Sequence, residues 1–341
     1  HLTLTGTGTK TLGGAVTTNG NLTINTNAIL DVTTNNYAVN IKGNWTNNGN
    51  FLANSGTVTF NGTVAQTIGG TSITNFRNIT LNNAAGATLT QAQNLFESLT
   101  LSSGTFATNG QVFTLISDAN GTARIATIPV GADITGNITI QMYIDAGATN
   151  WRFLTTATSG ATLADWVDDF ITSGFTGSAF PLWPSASNPW PNIYFYDETV
   201  LGIEDSGYVA ATNATNSITV VQGVWAWSGD TITGTQPFTV DVTGPTNKGN
   251  ISLPLTYTSS AGIFDDGWNM VGNPYPSTLD LDSPTITKTG VNNAIYIWNP
   301  DLEQFASYIG GFGSNGGSNN IASSKAFWVQ TNAASPSIIL N

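Results

Sequence analysis

Twenty of the 341 residues are Asp or Glu, and the single His is residue 1. Acid–base chemistry would therefore rest on carboxylates. They fall in small groups: Asp165, Asp168 and Asp169; Asp197 and Glu198 with Glu204 and Asp205; Asp265 and Asp266; Asp280 and Asp282. Glycoside hydrolysis needs two carboxylates across a cleft. The first half of the chain holds only Asp31, Glu97, Asp118, Asp133 and Asp145 as acids, with Lys10, Lys42, Arg77 and Arg124 as bases. No cluster of them recurs at a regular interval. A lyase needs a base together with cations beside the substrate carboxylate, and no such set is present. The expectation is a protein that is not an enzyme, with a polysaccharide-degrading enzyme as an alternative.

Binding chemistry has more candidates. Asp280 and Asp282, two apart, would lie on one side of a strand. Together with Asp265 and Asp266 they admit two readings, solvated turn carboxylates or oxygen ligands of a structural Ca²⁺. No other cofactor is expected. The run Phe180-Pro181-Leu182-Trp183-Pro184, followed by Asn188-Pro189-Trp190-Pro191, places two indoles on Pro-rich loops. Trp183 and Trp190 either plug a core or a boundary between the halves, as large aromatics mostly do, or stack on sugar rings as binding anchors. Trp225 and Trp227 are expected to divide, one facing inward and the other outward or across an interface. Gly310-Gly311-Phe312-Gly313-Ser314 opens a glycine-rich loop with no Lys and no following helix, so a phosphate cradle is not expected there.

The elements that position these residues follow from composition. Only 8% of residues are charged, against about 25% in an ordinary globular protein. The formal net charge is −12, with eight Lys plus Arg and no Cys. Nucleic acid is excluded as a partner, because phosphates need a basic surface. Disulfide frameworks and Cys-based zinc sites are excluded too. No apolar run is long enough to span a membrane as a helix. The chain opens on His1-Leu2-Thr3-Leu4 with no basic start and no apolar leader, as expected of a processed product or an excerpt of a longer chain.

The 53 Thr and 38 Asn point to a repeat. An apolar–polar–apolar triplet recurs as Leu2-Thr3-Leu4, Leu22-Thr23-Ile24, Val39-Asn40-Ile41, Val58-Thr59-Phe60, Ile79-Thr80-Leu81, Leu99-Thr100-Leu101, Phe113-Thr114-Leu115 and Ile138-Thr139-Ile140. The steps are 20, 17, 19, 21, 20, 14 and 25 residues. Self-similarity near twenty residues signals a solenoid. A right-handed parallel β-helix is expected over residues 1–146, with stacked Asn and Thr outside and aliphatic side chains inside. Residues 151–341 differ: they hold nine of the ten Trp and twelve of the thirteen Pro. Short aromatic strands between turn signals predict a β-sandwich over residues 147–341, jelly-roll-like. One short helix is expected near Leu163–Phe170. The fold class is all-β.

Several segments resemble one family. Gly267-Trp268-Asn269-Met270-Val271-Gly272-Asn273-Pro274-Tyr275-Pro276-Ser277 is similar to the GWNLVGNPYPS motif of large secreted Bacteroidota surface proteins. Asp280-Leu281-Asp282, Tyr296-Ile297-Trp298-Asn299-Pro300 and Lys325-Ala326-Phe327-Trp328-Val329-Gln330 resemble the segments that follow it. Gly43-Asn44-Trp45-Thr46-Asn47-Asn48-Gly49 and Gly56-Thr57-Val58-Thr59-Phe60 resemble the companion repeats. The resemblance implies export by the type IX secretion system, a place on the cell surface or outside the cell, and an adhesin-like role. The family's sorting domain has no counterpart after Ile338-Ile339-Leu340-Asn341.

The expected function is a non-catalytic extracellular structural or adhesive module, part of a giant adhesin or a subunit of a surface filament. A carbohydrate-binding module is the alternative. Expected partners are surface glycans and further copies of the chain, joined end to end through the open edge of the β-helix.

Overall fold

The computed structural model describes residues 1–147, 149–230, 234–259 and 266–341. The chain is all-β; among the described residues the helical segments are two short 3-10 turns, Leu163–Trp166 and Glu204–Gly207. It divides into two units, residues 1–141 with 243–246, and residues 142–242 with 247–341. No helix among the described residues is long and apolar enough to cross a membrane.

The first unit is a parallel β-solenoid of about seven turns. Its strands stack in three columns. The first runs through Leu2–Leu4, Leu22–Ile24, Trp45–Asn47, Gln66–Gly70 and Ala87–Leu89, and ends at Ala132–Thr135. The second starts with Gly8–Thr11, Ala28–Asp31 and Asn50–Leu52. In later turns its place is taken by residues 74–76, residues 93–95 and Phe113–Leu115. The third holds Val16–Thr18, Val39–Ile41 and Thr57–Phe60, then residues 78–81 and 98–101. The single strand Gln93–Ala107 passes through all three columns.

The recurring triplets are strands, but they do not form one column. Leu2 and Leu22 belong to the first, Val39, Val58, Ile79 and Leu99 to the third, and Phe113 to the second. The 17-residue step to Val39 and the 14-residue step to Phe113 are the places where the series changes column. Alternation puts Leu22, Ile24, Val39, Ile41, Ile79 and Leu81 inside, as a pleated strand requires. Outside, amides replace ions: Asn21 Oδ1 accepts from the Asn44 N–H at 3.0 Å, and Asn44 Oδ1 from the Thr67 N–H at 2.9 Å. Each corner amide thus satisfies the backbone one turn further on, which is how so few charges suffice.

The second unit is built from antiparallel sheets. Asn150–Leu154, Val224–Ser228, Ile193–Tyr196 and Tyr208–Ala210 pair in that order. The register places Trp151 opposite Trp227, Phe153 and Tyr194 opposite Trp225, and Tyr196 opposite Tyr208. All seven rings therefore share one face. Trp225 and Trp227 do not divide as expected: positions two apart in a strand point the same way, and Trp151 lies 5.1 Å from the first and 5.5 Å from the second. The opposite face sends Leu154, Ile193, Val224 and Ala226 into a core with Leu163, Trp166 and Phe170.

A five-stranded sheet, Trp268–Gly272, Ala326–Thr331, Val291–Asn299, Gln304–Ile309 and Phe312–Ser314, also has two unlike faces. Val271, Ile295, Phe327 and Val329 enter an aliphatic core with Leu281 and Leu340. Trp268, Met270, Tyr296, Trp298 and Trp328 gather on the other side with Phe153, Tyr196 and Trp225. The two sheets thus meet through an aromatic layer, with Tyr196 4.5 Å and Phe153 6.2 Å from Trp328.

The Gly267–Ser277 motif does structural work. Asn269 Nδ2 donates to the carbonyls of Thr256 and Gly267. Asn273, fully buried, donates to those of Ser277 and Ile321 and accepts from the Tyr275 N–H. The glycine-rich loop opens on a hairpin: Ile309 pairs with Phe312 across Gly310 and Gly311, at φ 56° and 96°, the left-handed angles a two-residue hairpin turn demands.

Candidate functional site

The loop carrying Trp183 and Trp190 is fixed at its base. Asn192, 2% exposed, accepts from the Ser173 N–H at 2.8 Å and donates to the carbonyls of Ile171 and Trp227 at 2.8 and 2.9 Å. Ser173 Oγ donates to the Trp190 carbonyl at 2.9 Å. Gly174, at φ +79°, lets the two segments close up: a Cβ there would sit 2.2 Å from the Trp190 carbonyl carbon. Within the loop, the Trp190 N–H donates to the Trp183 carbonyl at 2.7 Å, so the two tryptophans are clipped together where residues 184–189 bulge out.

The result is an open cleft of about 290 Å³ walled by Phe180, Trp183, Trp190 and Trp227, with Ser173 and Asn192 at its base. Trp183 and Trp190 are 5.5 Å apart with ring planes at 60°, forming a V. Trp190 is backed by Trp227 at 6.1 Å and Trp151 at 6.3 Å. Trp183 is 47% exposed, as is Phe180. The expected pair is thus brought together, Trp183 outward and Trp190 half-buried. Among the described residues no charged side chain lines the cleft, so it suits a neutral ligand with an apolar face. The sequence marks Trp227 as one of a strand pair and Phe180 as part of the Trp183 run, assigns neither to a cleft, and leaves the Asn192 clamp unmarked. The i, i+2 aromatics in Trp225-Ala226-Trp227 were the signal for the first of these.

Several of the carboxylates are engaged locally. Asp165 Oδ2 accepts from the Thr162 N–H at 2.8 Å, and Asp169 from the Asp241 N–H at 2.8 Å. Asp197 takes the Thr199 N–H and hydroxyl, and Glu198 the Thr258 N–H and hydroxyl. In the first unit, Asp31 accepts from the Thr33 N–H and Asn54. Glu97 pairs with Arg77 at 3.0 Å, a contact that holds its carboxyl below the usual range.

For the calcium candidates, Asp280 Oδ1 accepts from the Asp282 N–H and from Asn319 Nδ2. Asp282 Oδ2 accepts from the Tyr308 hydroxyl. The strand Leu279–Asp280 ends before Asp282, which lies in a turn. Asp266 lies in another turn, just before the strand Trp268–Gly272, and Asp265 lies outside the described residues. Among the described residues no three His, Cys, Asp or Glu side chains gather to hold a metal ion.

Residues 177–339 match a family described as a domain of unknown function, DUF8693. The match takes in the loop that carries Trp183 and Trp190, both aromatic sheets' central strands, and the Gly267–Ser277 motif. No curated protein and no solved structure matches the chain.

Proposed function

We propose that this chain is a non-catalytic, extracellular adhesive module of a large surface protein exported by the type IX secretion system. The solenoid serves as its structural part, and the tryptophan cleft of the second unit grips the apolar face of a neutral sugar. The observation that carries the sugar reading is the V formed by Trp183 and Trp190, open to solvent and lined by no charged side chain among the described residues. The local hydrogen bonds of Asp165, Asp169, Asp197, Glu198, Asp280 and Asp282 support a role without catalysis. The motif Gly267–Ser277 and the repeats support the secretion route by resemblance alone.

The test is a neutral-polysaccharide array probed with the whole chain and with Trp183→Ala. Binding by the parent and its loss in the variant support the proposal. Absence of binding to every neutral polysaccharide overturns the sugar reading. New reducing ends on incubation with a bound polysaccharide overturn the non-catalytic one.

End-to-end self-association is a second reading. Its support is the parallel pairing itself, in which each turn of the solenoid offers the next a full row of backbone donors and acceptors, as in Leu22–Ile24 on Trp45–Asn47, and a second copy can continue such a ladder. Sedimentation that grows with concentration supports it, and a monomer at micromolar concentration overturns it.

A further inference from the structure

A second cavity of the aromatic layer, about 310 Å³, shares no lining residue with the tryptophan cleft. Six of its seven lining residues are aromatic: Tyr196, Tyr208, Trp268, Tyr296, Phe305 and Trp328; the seventh is Glu204. That volume is at the small end of ligand pockets, which run from about 300 to 1,000 Å³.

The rings are set as the walls of a box. Trp328, 5% exposed, is the floor. Tyr196 meets it at 87° and 4.5 Å, Tyr208 at 88° and 6.3 Å, and Trp268 at 88° and 6.2 Å. Tyr296 closes the side beside Trp268 at 5.3 Å, and Phe305, 46% exposed, stands at the mouth. Rings at right angles cannot clamp a flat ligand between parallel faces. They surround a compact one with negative π surface. Glu204 is exposed on the 3-10 turn that leads into Tyr208; among the described residues it is the only charged group lining the cavity, and no lining side chain is basic.

We propose that this box binds a quaternary ammonium group, seated on Trp328 between Tyr196, Tyr208 and Trp268, with Glu204 supplying the opposite charge. The chemistry is specific to that class. A quaternary ammonium has no N–H to satisfy, so ring faces that offer it no acceptor do not penalise it, and its weak hydration keeps the cost of entering an aromatic box low. A primary ammonium would lose its water with few acceptors in return. An anion would meet negative ring faces and a carboxylate. The field is visible on Tyr208: its phenol is held above its usual range by burial first, and then by Tyr196, Asp205 and Glu204. The formal net charge of −12 reinforces the preference for cations.

The experiment titrates the whole chain with choline and with 3,3-dimethylbutan-1-ol, its uncharged analogue of the same shape, following tryptophan fluorescence. Choline is expected to saturate and to bind about tenfold more tightly than the alcohol. Glu204→Gln, a solvent-exposed change with no folding risk, is expected to weaken choline binding by about two- to fivefold. Equal binding of the two probes, or no saturation by choline, overturns the proposal. A trimethyl-lysine peptide and phosphatidylcholine vesicles then distinguish a protein from a lipid as the source of the group. The sugar reading stands or falls separately, because it uses other residues.

Discussion

The indole N–H of Trp45 donates to the hydroxyl of Thr74 at 3.0 Å, inside a solenoid where neither side chain is exposed. Asn47 Nδ2 donates to the same oxygen at 3.1 Å. One acceptor thus serves two buried donors from the neighbouring turn. Thr74→Val keeps the volume and removes the acceptor. Each stranded donor costs about 1–3 kcal/mol, so the first unit is expected to unfold at markedly lower urea. Thr74→Ser, which keeps the oxygen, is expected to lose far less. Equal losses for the two variants would show that the methyl, not the hydroxyl, matters.

The same substitution has the opposite sign at Thr108. Its hydroxyl is fully buried and has no hydrogen-bond partner among the described residues. Gly136 packs against it, at φ +88°, where a Cβ would lie 2.1 Å from Thr108 Oγ1. Thr108→Val removes an unsatisfied group without changing shape and is expected to stabilise the first unit by about 1 kcal/mol. Gly136→Ala is expected to destabilise it through both the clash and the positive φ. Paired urea midpoints check both signs.

The solenoid was legible because its interior and exterior positions differ in residue type: Leu22-Thr23-Ile24 or Val58-Thr59-Phe60 states its own alternation. The columns were not legible, because a triplet looks the same on every face. Only the pairing of Leu22 with Trp45, and of Val39 with Val58, separates them. Residues 243–246 belong with the first unit, and composition has no means of showing it. In the second unit Trp183 and Trp190 stood out by their prolines. The box around Trp328 draws on Tyr196, Tyr208, Trp268 and Tyr296, scattered over a hundred positions. The local pattern of aromatics two apart announces a face but not what that face meets.

Asp169 makes the second unit sensitive to pH. Burial pushes its carboxyl up to about 7 from 3.8; the Asp241 N–H opposes this in part, while the carboxylates of Asp241, Asp168 and Asp165 add to it. The native state therefore holds this proton more tightly than the unfolded chain does. The stability it contributes is fully present below about pH 4 and is lost as pH rises towards 7. Asp169→Asn can still accept from the Asp241 N–H and has no charge to bury. Its melting temperature is expected to match the parent at pH 4 and to exceed it at pH 8. The comparison is a difference, so titrations of acids that do not interact with Asp169 cancel, and the change at Asp241, Asp168 and Asp165, relieved of its charge, adds in the same direction. A gap that fails to widen with pH would mean that Asp169 ionises in the fold without penalty.

The two tryptophans of the cleft separate binding from stability. Trp183 is 47% exposed and, among the described residues, touches one other ring, Trp190. Trp190 is half-buried and has Trp151, Trp183 and Trp227 around it. Trp183→Ala is expected to change stability by no more than about 0.5 kcal/mol, as exposed substitutions do, while abolishing sugar binding. Trp190→Ala is expected to cost about 2 kcal/mol, less than a fully buried indole, and to abolish binding as well. Residues that act as one surface are not additive, so the double variant should bind no worse than either single one. Thermal melts with and without the sugar found on the array measure both quantities at once. A Trp183→Ala chain that still melts higher with sugar would place the ligand elsewhere than in the V.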